Sequence, residues 1–160
     1  MDVALDDLKK CARNAVKLLD PRGGLRRVRT FLAVYIADLP EQQNVAGVTS
    51  GYAPSSTARP TTLGSPTPHP LRRGKDTLDA IRAINEEIEA LGAQGDLERY
   101  RKIAKAYGLN GVDLLFWRNW LWAEPPFFLA PDALHQLHKL FIDHLVDWAR
   151  QLLGAEEFDR

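Results

Sequence analysis

Apolar residues recur at steps of three and four from residue 2 to residue 19, with Leu5, Leu8, Ala12, Ala15, Val16 and Leu19 on one stripe. That spacing predicts an amphipathic helix, closed by Asp20-Pro21-Arg22-Gly23-Gly24, where proline cannot continue a helix and paired glycines favour a turn. Residues 31–37 (FLAVYIA) are continuously apolar and rich in β-branched and aromatic types. A run that short and of that composition predicts a buried strand, ended by Asp38-Leu39-Pro40-Glu41. From 51 to 74 five prolines are mixed with serine, threonine and glycine, which predicts an extended linker or surface excursion.

Helical periodicity returns at 76–91, with Leu78, Ile81, Ile84, Ile88 and Leu91 on one face and Gly92 placed as a C-terminal cap. A shorter helix is predicted over 96–107. Residues 112–129 are aromatic and irregular, broken by Pro125-Pro126. Pro131 suits the first turn of a long helix to Leu153, whose Leu134, Leu137, Phe141, Leu145, Trp148 and Leu152 form a continuous stripe. The pattern therefore predicts a mainly α protein with one isolated buried strand. Its segments are an N-terminal helix (1–20), a strand and turn carrying Asp38 (30–50), a Pro-rich linker (51–74) and a helical domain (75–160). A lone strand leaves hydrogen-bonding groups unpaired on both edges. Either that segment is a helix after all, or the chain is a piece of a larger sheet protein.

Composition narrows the class. At 160 residues, 45% apolar and 26% charged, the chain has the make-up of one globular domain. A single cysteine, Cys11, excludes a disulfide framework. The start of the chain lacks a signal-peptide core, and no run reaches the ~18 apolar residues that span a bilayer, so the expected location is intracellular. Lysine plus arginine (21) balances aspartate plus glutamate (21), but unevenly. Residues 21–75 hold eight basic against two acidic side chains, and residues 76–160 hold nine against fifteen. Such asymmetry marks a surface for nucleic acid or an acidic partner, with Arg26, Arg27, Arg29, Arg72 and Arg73 as candidate DNA contacts. The plainer alternative is neutralisation of one half by the other.

Asp38 stands just past the end of the predicted strand, where metal-dependent nucleases place carboxylate ligands. Glu41 is a candidate second ligand, and the competing reading makes the segment a simple turn. His135 and His138, three apart on the last helix, share a face and can clamp one metal ion, or merely supply its polar side. Trp117, Trp120 and Trp122 with Arg118 fit either a base-stacking platform or a core on which helices close. Nothing points to a small-molecule substrate.

Several blocks together resemble a known family. Ala37-Asp38-Leu39-Pro40-Glu41-Gln42, the run Tyr107-Gly108-Leu109-Asn110-Gly111-Val112 with Phe116-Trp117-Arg118-Asn119-Trp120, the segment from Phe128 to Gln136, and Gly154-Ala155-Glu156-Glu157 are similar, in collinear order, to blocks of Plavaka-type transposases. These belong to the Kyakuja–Dileera–Zisupton group of DNA elements, abundant in basidiomycete fungi. The resemblance implies an RNase H-like core that cuts and joins DNA through carboxylate-bound Mg or Mn, with Asp38 at the position of a catalytic aspartate. Here that core would be partial and incomplete, with a helical insertion, because full-length members are several times longer and the other catalytic acids have no counterpart. Asn119, Ala130 and Leu137 replace the family's usual Asp, Thr and Trp, and loss of a capping threonine at 130 would cost about 1 kcal/mol. The expectation is a truncated transposase-derived protein without activity or cofactor of its own. Its expected partners are DNA or a related full-length transposase, and the nucleus is its expected place. The alternatives are a small helical DNA- or protein-binding module and, more remotely, an intact metal-dependent nuclease.

Overall fold

A computed structural model describes residues 2–154 and Phe158; residues 155–157 of the last resembling block lie outside them. The order of elements is α1 (Asp2–Arg13), β1 (Val16–Leu19), β2 (Leu25–Val28), β3 (Tyr35–Ala37), α2 (Leu39–Ala46), α3 (Gly74–Ala90), α4 (Leu97–Ala106), the single turn α5 (Pro125–Phe128) and β4 (Leu129–Pro131). The last helix is π-helical at Leu134–His138 and Phe141–Val146 and α-helical as α6 (Asp147–Leu153). The fold is mainly helical with two small sheets.

The predicted N-terminal helix over 1–20 stops at Arg13, and its last third is a strand. Val16–Leu19 pairs antiparallel with Leu25–Val28, Val16 opposite Val28 and Leu19 opposite Leu25. The turn decides this. Asp20 accepts backbone N–H bonds from Arg22 (2.9 Å) and Gly24 (2.8 Å), and Gly23 takes a φ of +76°, which a β-carbon disfavours. A turn so closed folds the flanking segments into a hairpin with Leu19 and Leu25 at its neck, where helix continuation would have required opening it.

The isolated buried strand is corrected in two respects. It is only three residues long, and it has a partner: β3 pairs in parallel with β4, Tyr35 opposite Leu129 and Ala37 opposite Pro131. Its apolar run is also largely uncovered, since Phe31, Val34 and Ile36 are more than half exposed. Ala37 faces the core, with Tyr35 and the preceding Leu32 partly buried against it; Tyr35 and Ala37 follow the two-residue alternation of a strand. Gln42 clamps the pair, its buried amide donating to Ala37 O at 2.8 Å and to Ala130 O at 3.3 Å.

The Pro-rich stretch is a closed loop rather than an extended linker. Its two ends meet where Thr57 donates to Pro70 O and Arg72 donates its backbone N–H to Ser55 O. Pro54 and Ala58 are buried beneath it. Around it lies the core: Ile81, Ile84 and Ile88 of α3, Tyr100 and Ala104 of α4, Ala46 and Val48 after α2, and the aromatic segment's Leu115, Trp117, Trp120 and Phe128. Trp117 is almost wholly buried and donates from Nε1 to Val45 O at 2.7 Å. The bridge Val48 to Leu109 joins the end of α2 to the turn after α4. Blocks far apart in sequence therefore converge on one centre.

The stripe predicted on the last helix exists, but it is not buried. Leu134, Leu137, Phe141, Leu145, Trp148 and Leu152 are all 47–85% exposed. The helix also starts later than expected. Ala130 lies in β4, so a hydroxyl there would cap nothing, and Asp132 takes that task by accepting from Leu134 N–H at 2.8 Å. Among the described residues no helix is long and apolar enough to cross a membrane.

Candidate functional site

Asp38 sits where β3 ends and α2 begins, in extended backbone (φ −68°, ψ 169°). Pro40 fits the first helical turn because the N–H it lacks would have no partner there. Those conditions make Asp38 the N-cap: its Oδ1 accepts from Glu41 N–H at 3.0 Å. Glu41 is engaged too, its carboxylate accepting from Tyr35 Oη at 2.5 Å. That bond, followed by partial burial, raises the Tyr35 hydroxyl above its ordinary pKa. Both acids thus have local structural partners.

Asp38 opens onto a cleft of about 600 Å³ lined also by Leu39, Pro40, His135, Lys139, Leu140 and His144. His135 and His144 are nine residues apart, two and a half turns of an α-helix, and would point to opposite sides of one. The wider i→i+5 turns at Leu134–His138 and Phe141–Val146 change that register. Both imidazoles therefore reach the Asp38 side. His135 and His138 share an adjoining cleft with Leu134, Lys139 and Asp143, but His135 is drawn to Asp132, its Nδ1 2.5 Å from Oδ2. That contact and the Leu134 N–H hold the Asp132 carboxyl below the usual range. His144 stacks on Trp148, centroids 5.6 Å apart.

The residues do not fit a two-metal centre. Among the described residues no three His, Cys, Asp or Glu side chains converge to hold an ion, and such chemistry needs several carboxylates around its ions. Asp38 shares its cleft with His135, but among the described residues no third acid joins Asp38 and Glu41 to complete an ion site.

The basic candidates divide. Arg26 and Arg27 stand on the exposed hairpin, Arg26 paired with Asp20 at 2.9 Å. Lys17, which sequence reasoning passed over, lies directly opposite Arg27. Arg29 turns inward to donate to Ala12 O at 3.4 Å. Arg72 is half-buried and donates Nε and Nη2 to Ala53 O, so it fastens the Pro-rich loop. Burial and then the nearby Arg59 lower its pKa. Arg73 is exposed beside Asp76. The tryptophans divide as well: Trp117 and Trp120 belong to the core, while Trp122 is 65% exposed.

A family model described as Plavaka transposase matches residues 1–149. No curated protein and no solved structure matches the chain.

Proposed function

This chain belongs to the Plavaka transposase family, and on that premise we propose that it is a DNA-holding piece of such an enzyme without strand-transfer activity of its own. The observation that carries this reading is the exposed hairpin. Residues 13–29 hold six basic side chains (Arg13, Lys17, Arg22, Arg26, Arg27, Arg29) against one acid, Asp20. Lys17 and Arg27 face each other across the two strands, and like charges so placed destabilise a hairpin unless an anion lies between them. A two-stranded ribbon is also narrow enough to enter the major groove of DNA. Asp38 and Glu41, already committed to Glu41 N–H and Tyr35, support the inactive half of the reading. The β3–β4 pair is then part of a larger RNase H-like sheet whose further strands and acids the parent transposase supplies, and the nucleus is where such a chain acts.

Fluorescence anisotropy with a labelled duplex, run beside a plasmid-cleavage gel with Mg or Mn, tests both halves. We expect binding without cleavage, and a salt slope smaller by about one for each of Lys17→Ala and Arg27→Ala. Metal-dependent cutting abolished by Asp38→Asn overturns the inactive reading; failure to bind duplex at low salt overturns the DNA reading. A second reading, a protein-binding module, is favoured by the exposed stripe of the last helix. Its partner would be a related full-length transposase.

A further inference from the structure

We infer that the cleft beside Trp122 is a binding site for one unpaired nucleotide, its base stacked on the exposed indole; this rests on nucleic acid being the partner proposed above. The first observation is backbone strain. Trp122 has a φ of +64° and stands alone among the described non-glycine residues with a positive φ. It occupies the third position of the turn 120–123, closed by Ala123 N–H on Trp120 O at 3.2 Å. Glycine or asparagine is the ordinary choice there. A bulky side chain in that region is held against a conformational preference, and such strain concentrates at ligand sites. Packing does not explain it, because the indole is 65% exposed.

The second observation is what Trp122 overlooks. A cleft of about 500 Å³ runs from its indole to the start of α3, lined by Trp120, Lys75, Arg82, Asp79 and Glu124 among others. Lys75 and Arg82 share one carboxylate, Asp79, at 3.1 and 2.9 Å; with Arg118 they put three cations on the lining against the two carboxylates Asp79 and Glu124, a surplus of one positive charge. Glu124 is taken by Gly74 N–H. A flat, exposed ring face beside cations that outnumber the carboxylates matches a nucleotide freed from pairing, for which aromatic stacking is sequence-tolerant.

The test compares two single-stranded oligodeoxynucleotides of equal length, one of thymidines and one abasic, in titrations of the full chain and of Trp122→Gly. Phosphate contacts elsewhere are common to both, so their difference reads the stacked base alone. The full chain should bind the thymidine strand about tenfold more tightly than the abasic one. Trp122→Gly should erase that difference while melting no lower than the parent, because glycine accepts the positive φ; Trp122→Phe should restore part of it. Equal binding of both strands by the parent, or an undiminished preference in Trp122→Gly, overturns the cleft assignment and leaves the hairpin reading standing. Melting of Trp122→Gly well below the parent assigns the tryptophan to packing and likewise overturns it. Binding of neither strand nor of duplex removes the nucleic-acid reading and this inference with it.

Discussion

Helix α3 and the last helix carry the same kind of apolar stripe and meet opposite fates. Ile81, Ile84 and Ile88 of α3 are 0–7% exposed, closed over by α4 and the aromatic segment. Leu134, Leu137, Phe141 and Leu145 are about half or more exposed, on a helix wound partly as π. Periodicity states which side of a helix is apolar; it does not supply the surface that covers it. In α3 that surface comes from later parts of the chain, α4 and the segment 115–128. The last helix has no such cover among the described residues.

Two matched substitutions put this contrast under the largest load. Trp117→Ala removes a side chain that is 1% exposed, bonds Val45 O and stands 6.2 Å from the Phe128 ring. It should lower unfolding stability by about 3–5 kcal/mol. Trp148→Ala, on the uncovered helix, should stay within about 0.5 kcal/mol. Urea denaturation of both variants checks this, and equal losses would mean that the last helix is packed in solution. A smaller effect is expected at the start of α2, on the cleft it shares with the last helix. Asp38→Ala deletes the N-cap of α2 and should cost about 1 kcal/mol, with Asp38→Asn recovering most of it. If both variants lose the same amount, charge rather than capping is what Asp38 contributes.

The smallest effect concerns the start of the last helix. His135 and then the Leu134 N–H depress the Asp132 pKa. The folded form therefore gains from ionised Asp132 above the ordinary aspartate range, and that gain disappears as pH falls through the depressed value. Acidification below about pH 4 should loosen this helix start before the core responds. Amide exchange at Leu134, compared with Ile84, reports it; simultaneous loosening of both would contradict the separation of the two regions.

Where local chemistry was decisive, the sequence was a good guide. The helices at Gly74–Ala90 and Leu97–Ala106 follow their apolar stripes, and Asp96 caps the second by accepting from Arg99 N–H at 3.0 Å. The hairpin at 16–28 was hidden because Val16 and Leu19 fit a helical step as well as a strand, and only the bonds to Asp20 break the tie. Pairing of β3 with β4 was hidden for a different reason. Its partner is three residues long and lies beyond residue 128, so no local pattern announces it. The same holds for Gln42, which the sequence marks only as a polar residue on a short helix, and which becomes the tie between two strands. At the candidate site, Asp38 was legible as a residue at the end of a strand, but its role as a cap depended on the backbone angle that α2 imposes. Trp122 looked like its neighbours Trp117 and Trp120 until the turn at 120–123 separated it from them.

Sequence alone determined the family, the mainly helical character and the uneven charge, because each is carried by residue order and by interactions within a few positions. The tertiary structure decided which apolar faces are covered, which carboxylates are already bonded and which tryptophan faces solvent. Those outcomes depend on surfaces brought together from distant parts of the chain, and no window of sequence contains both members of such a pair.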